Sequence, residues 1–170
     1  MSHLRVHVRA AESTDADGIA DVHVRSWRET YAGLIPEQLM GAEALEARRS
    51  MWTSILALDP RPGAIAIAER GGRVVGFAFA GPATHPDATK GLTPARDWHL
   101  YSIYLLSVAQ GAGIGHALLE MVVHDRPAQL WVVRENERAR AFYERHGFQT
   151  DGSEFVDPDV NGLVELRLVR

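Results

Sequence analysis

The sequence predicts an α/β (α+β) domain, a mixed and mostly antiparallel sheet of about seven strands flanked by about four helices, with residues 1–170 forming a single domain. Three observations predict it. A chain of 170 residues is of the length of one domain and long enough to bury a sizeable core. Seven short stretches alternate apolar with polar residues or are apolar throughout, as strands do, and turn residues bound them. Four longer stretches carry apolar residues three and four apart, as amphipathic helices do.

In chain order, Leu4 to Val8 alternates and reads as a first strand. Ser13-Thr14-Asp15 opens a helix, with Thr14 and Asp17 spaced as a capping box. Ile19, Val22, His23, Ser26 and Trp27 share one face of that helix, and Gly33 and Pro36 close it. A second helix over Ala42 to Leu58 buries Leu45, Trp52, Ile55 and Leu56, and its pair Arg48-Arg49 reads as a solvated face. Ala64 to Ala68 and Val74 to Phe79 are strands joined through the turn signal Arg70-Gly71-Gly72-Arg73, hence an antiparallel hairpin. Gly81 to Asp97, with three prolines, is the longest irregular stretch, and His85 within it reads as solvated. Trp98 to Leu106 is a buried strand, followed by a glycine turn and a helix carrying Ile114, Leu118, Met121 and Val122. Gln129 to Val133 is a short buried strand, and Asn136 caps a helix that ends at Gly147. Phe148 to Val156 and Leu163 to Val169 are the last two strands.

Composition narrows the function classes. The formal net charge of −4 implies no general nucleic-acid or other polyanion partner. The absence of cysteine excludes disulfides, thiolate catalysis and cysteine-ligated metal, and no metal is expected. No apolar run approaches the ~20 residues of a membrane helix, and the N-terminus has no signal-peptide core, so a cytoplasmic, non-membrane protein is expected.

The chemistry concentrates in Gln110-Gly111-Ala112-Gly113-Ile114-Gly115. Glycines at a helix start let backbone pass close to a bulky ligand, and the first-turn N–H groups have no intrahelical partner. With the helix dipole they favour a phosphate or pyrophosphate. A P-loop would need Lys then Ser or Thr after Gly115, where His116-Ala117 stands. The dinucleotide fingerprint would need glycine at position 116. A tight strand-to-helix turn without a ligand also accounts for the glycines. The pattern that does fit is Q/R-x-x-G-x-G/A, through Gln110, Gly113 and Gly115. It resembles the coenzyme A loop of the GNAT superfamily of N-acetyltransferases. A second stretch, Asn136 to Phe148, fits N-x-x-A-x-x-F/L-Y-x-x-x-G-F, the other signature of that superfamily, and the two stand in register with the family's run of elements. The resemblance covers essentially the whole chain. Two features depart from it: Ser107-Val108-Ala109 stands where many relatives have proline, and the chain lacks a glutamate on the central strand.

The resemblance implies acetyl transfer from acetyl-coenzyme A to a primary amine by direct attack. It assigns cofactor contacts to the backbone of Gly111, Ala112, Gly113, Ile114, Gly115 and His116, to Gln110, to the strand end Ile103-Tyr104-Leu105, and to Asn136, Ala139 and Tyr143. Tyr143 would be the general acid that meets the departing thiolate, because a phenol stays protonated at neutral pH; packing beside Phe142 is its other reading. Asp97, His99 and Tyr101 share one strand face. His99 would take the amine proton, or water would serve instead. Trp27, Tyr31 and Tyr101 would line the acceptor site, although Trp27 and Tyr31 also suit core packing. The acceptor is expected to be a small-molecule amine, with protein N-termini and lysines open. Glu29, Glu37, Glu43, Asp87 and Asp97 would suit a cationic amine or be plain surface. The resemblance leaves a homodimer open. A coenzyme A-binding regulatory or interaction module without turnover is the alternative on the same scaffold.

Overall fold

The computed structural model describes residues 5–170. Its strands are β1 (His7–Ala10), β2 (Ala64–Arg70), β3 (Arg73–Pro82), β4 (Trp98–Leu105), β5 (Gln129–Val133), β6 (Gln149–Asp157) and β7 (Leu163–Val169). Its helices are α1 (Ala16–Tyr31), α2 (Ala42–Ala57), α3 (Pro86–Thr89), α4 (Ile114–Val122) and α5 (Glu137–Arg145). The seven strands form one sheet in the order β1-β2-β3-β4-β5-β7-β6. Every neighbouring pair is antiparallel except β4 and β5.

Strand alternation builds two cores of different texture. On β2 and β3, Ile65, Ile67 and Phe77 face one side, where they pack with Ile19 and Val22 of α1 and Trp52 of α2. Ala66, Ala68 and Ala78 face the other, where they meet Leu118, Leu119 and Val122 of α4. Small residues on that side let α4 approach closely; a Cβ at Gly76 would stand 2.5 Å from Leu105 Cδ1 and 3.4 Å from Leu118 Cδ1. The β2–β3 hairpin turns at Gly71 and Gly72 with φ of 58° and 75°, a left-handed pair suited to a two-residue turn.

Two irregularities of β4 shape the site. Its register against β3 shifts between Phe79↔Ser102 and Ala80↔Leu100, leaving Tyr101 without a partner on β3 as a bulge. Against β5 it makes a single pairing, His99↔Gln129, after which the strands part. A parallel pair that diverges leaves an open crevice and unpaired strand edges.

The structure adjusts several expected elements. The first strand runs over His7–Ala10; Leu4 lies outside the described residues. The box at the first helix lies earlier than Thr14–Asp17: the Glu12 N–H donates to the Asp15 carboxylate at 2.7 Å, and a 3-10 turn over Ser13–Asp15 leads into α1. Asp15 also accepts both Arg9 amino groups, at 2.7 and 3.0 Å. Burial pushes that carboxyl up, but the Arg9 and Glu12 hydrogen bonds outweigh it and hold it below the ordinary range. Met121 is exposed rather than buried; the α4 stripe is Ile114, Leu118, Leu119 and Val122. The long stretch after β3 contains α3, which makes five helices among the described residues, and exposed His85 caps it by accepting the Asp87 N–H at 3.2 Å. Leu106 is buried but lies beyond the end of β4.

Candidate active site

The crevice between β4 and β5 opens into one continuous cavity of about 1600 Å³. At one end lies the glycine turn. Gly111 and Gly113 have φ of 89° and 75°, and a Cβ at either would meet nothing within 4 Å. Their backbone is therefore both left-handed and open to the groove. The first bond of α4 runs from the Ala117 N–H to the Gly113 carbonyl at 3.0 Å, and the N–H groups of residues 111–116 reach no acceptor elsewhere among the described residues. The four of these at the start of α4, from Gly113 to His116, are the free donors of a helix N-terminus and suit an anion. Gly115 has a different cause: a Cβ there would stand 3.1 Å from the Phe142 ring, so it is small for α4–α5 packing.

The side chains around this turn serve it. Gln110 donates to the Leu105 carbonyl at 2.8 Å and so pins the loop to the end of β4. Ile114 is buried in the core and Ala112 is exposed. His116 stacks on His146, with the ring nitrogens 3.1 Å apart. Exposed Arg138 and Arg145 of α5 also line this end.

In the middle of the cavity, Ile103 and Leu105 pair with β3 along one edge only, so their β5-side edge is free. Tyr104 turns its ring toward α1, where its hydroxyl accepts the Trp27 indole N–H at 2.9 Å. The Asn136 side chain is already engaged. Its oxygen caps α5 by accepting the Ala139 N–H at 3.1 Å, and its amide donates to the Tyr31 hydroxyl at 3.4 Å. Tyr143 is 8 % exposed, packed between Phe142 and Phe148, and lines the cavity. Burial, with the neighbouring Tyr104 and Tyr31 adding, pushes its phenol well above the ordinary value, so it stays protonated.

At the far end Trp27, Tyr31, Trp52, Phe79, Tyr101 and Trp131 line the cavity. Trp27 and Tyr31 pack together, at 6.0 Å between centroids, and both line the cavity. Tyr101 stacks on Phe79 at 5.1 Å and its hydroxyl donates to the Pro82 carbonyl at 2.6 Å. Of the five acidic residues weighed for an acceptor, only Asp87 lines the cavity; Glu29 accepts from the Ser107 N–H at 3.0 Å, and Glu37, Glu43 and Asp97 are exposed elsewhere.

His99 is held in one tautomer. It is 3 % exposed, and burial, then the Lys90 charge, lowers its pKa to about 3. Its tautomer follows from Gln129. The Gln129 carbonyl oxygen accepts the Ala95 and Arg96 N–H groups at 2.6 and 3.1 Å, which fixes the amide nitrogen on the other side. That nitrogen donates to the Ala88 carbonyl and to His99 Nδ1, each at 3.2 Å. Nδ1 is thus an acceptor and Nε2 carries the proton. A neutral imidazole with one nitrogen engaged and the other protonated has no lone pair for an amine proton. In this tautomer the Nε2 of His99 is a hydrogen-bond donor. Fully buried Gln129, which sets this, carried only the weak signal of a lone amide beginning an apolar strand.

The expectation for Arg48 also changes. Arg49 pairs with Asp17 and Glu46 on the outer surface, but Arg48 lines the cavity with its guanidinium 5.4 Å from the Trp27 ring centre. Among the described residues no group of three or more His, Cys, Asp or Glu could hold a metal ion, and no helix is long and apolar enough to cross a membrane.

The sequence model of the acetyltransferase (GNAT) family matches residues 22–148. The chain is 29 % identical to a "probable N-acetyltransferase" of Mycobacterium tuberculosis, over 96 % of this chain and 91 % of that protein. It is 32 % identical to an "uncharacterized N-acetyltransferase" of Bacillus subtilis, over 77 % of this chain and 73 % of that protein. Among solved structures it shares its fold with the PaiA N-acetyltransferase of Thermoplasma acidophilum in complex with coenzyme A, at a TM-score of 0.63 and 18 % identity, covering 96 % of this chain and 98 % of that one.

Proposed function

The chain belongs to the acetyltransferase (GNAT) family, and on that premise we propose that it transfers an acetyl group from acetyl-coenzyme A to the primary amine of a small molecule by direct attack. The observation that carries this reading is one cavity joining an anion cradle of unpaired N–H groups to the protonated, buried phenol of Tyr143.

The residues fit coenzyme A. The N–H groups of residues 111–116 suit a pyrophosphate, and Arg138 and Arg145 add positive charge beside them. The free edge of Ile103-Tyr104-Leu105 offers main-chain groups to an extended amide chain, as a strand edge does to an added strand. Bound acetyl-coenzyme A supplies a thioester carbonyl open to a neutral amine. Tyr143 donates a hydrogen bond where thiolate charge develops. Because burial raises its phenol, it stabilises that charge without giving up its proton early. His99 presents a fixed N–H rather than a lone pair, so the amine proton leaves to water.

Thermal melts with and without acetyl-coenzyme A test the binding half. Ligand at ~100 times Kd should add ~2.7 kcal/mol, a rise of roughly 5 to 11 °C for a domain of this size. Thiol release with an amine panel tests the transfer half. A melting shift without thiol release from any amine would leave a coenzyme A-binding module; no shift at millimolar ligand would remove both.

A further inference from the structure

We propose that the acceptor carries a carboxylate beside its amine on an apolar or aromatic body, and that Arg48 is the residue that reads the carboxylate. This rests on the transfer reading above and names its substrate class.

The charges lining the far end of the cavity carry the inference. Lys90 is matched by Glu165 at 2.5 Å, with side-chain exposures of 15 % and 19 %. Asp87 stands at the mouth, 78 % exposed, beside His85 at 3.4 Å. Asp157 accepts the Asp159 N–H at 2.9 Å within the β6–β7 turn. Arg48 differs from all of these. It is half-buried, and no carboxylate lies within 4.0 Å of it among the described residues. Its one hydrogen-bond partner among the described residues is the Met51 sulfur, 3.7 Å from Nη1, and its guanidinium lies over Trp27.

A half-buried cation facing apolar walls is costly unless something compensates it. The Trp27 ring compensates only in part. The five donors of the guanidinium remain mostly unused, and their planar fork matches a carboxylate. The same charge repels a second cation beside Trp27; Asp87 and Asp157, which line the cavity without a lysine or arginine partner among the described residues, stand more than 4.0 Å from it. Trp27, Trp52, Phe79 and Tyr101 supply flat apolar walls for the body that carries amine and acid. A compact amino acid of aromatic or branched side chain meets all three demands.

The test uses matched products, so that it does not depend on turnover. Calorimetric titration of the protein in coenzyme A compares N-acetyl-L-phenylalanine with N-acetylphenethylamine, which differ only in the carboxylate. We expect the carboxylate compound to bind at least about ten-fold tighter. Arg48→Met should erase that preference, Arg48→Lys should keep part of it, and Arg49→Met, on the outer surface, should leave it intact. Equal affinities in the unmodified protein, no binding of the carboxylate compound, or equal weakening of both compounds by Arg48→Met would each overturn the assignment. The two readings fail separately. An intact preference without thiol release from phenylalanine sinks the transfer reading alone. Turnover of phenethylamine at the rate of phenylalanine sinks the carboxylate reading alone.

Discussion

The two ends of the cavity offer different means of binding. The glycine-turn end offers backbone, N–H groups freed by a helix start and glycines in left-handed conformation, with arginines of the first and last turns of α5 beside it. The aromatic end works through side chains from α1, α2, β3, β4 and β5, brought together only by the folded sheet. A backbone site constrains residue type where it stands, because only glycine takes those angles cheaply. A side-chain site spreads its constraints over distant positions, each of which also satisfies the core. The first kind can hold one invariant group across many proteins, while the second is free to change with the substrate.

The largest expected effect breaks the backbone end. Gly113→Val forces a β-branched residue to a φ of 75° and points it into the groove, so acetyl-coenzyme A binding should weaken by about 100-fold or more and the melting shift should vanish. Retained affinity would show that the cradle is not used. Gly115→Ala sharpens the contrast within one turn. Its Cβ would press on Phe142 at 3.1 Å rather than on the groove, so stability should fall by about 1 kcal/mol with cofactor affinity nearly intact. Next in size is Tyr143→Phe. Losing one donor at a developing charge should lower kcat by roughly 10- to 100-fold with little change in KM for acetyl-coenzyme A. Unchanged turnover would return Tyr143 to a packing role beside Phe142 and Phe148.

The same division governs what the sequence made legible. The β2–β3 hairpin was readable because Gly71-Gly72 names its turn, and the strands because Ile65, Ile67 and Phe77 alternate with alanines. The glycine turn was readable for the reason just given. The box at Glu12 and Asp15 was displaced by a 3-10 turn, since Ser13, Thr14 and Asp15 are all good caps and only Arg9 selects among them. Arg48 and Arg49 are adjacent and chemically alike; which one turns inward depends on how α2 docks against α1, which no local pattern encodes. His99 was legible as a strand residue on the side of Tyr101, but its protonation was not. That is set from Gln129, thirty residues away, whose amide is in turn fixed by the backbone of Ala95 and Arg96.

The smallest effect on rate sharpens the aromatic end, where no titrating base is expected. His99→Gln should leave the rising limb of the pH–rate profile where it was, because the neutral imidazole gives up no lone pair; loss of that limb would restore His99 as the base. Stability should respond instead. Burial lowers both His99 and His23 to about 3, and the Trp52 indole donates to His23 Nδ1 at 3.3 Å. An unfolded chain protonates each near its ordinary value of 6.5. Between about pH 6.5 and about pH 3 the unfolded state therefore binds more protons than the folded one, and acidification favours unfolding. Their neutral burial costs nothing above that window, and each should cost on the order of 1 kcal/mol per pH unit within it. Melts from about pH 7.5 to about pH 5 should show the unmodified protein losing stability with a slope that rises toward two protons near pH 5, and His99→Gln with a slope that rises toward one. Equal slopes would mean that His99 is protonated in the fold, and that the Gln129 amide does not hold its tautomer.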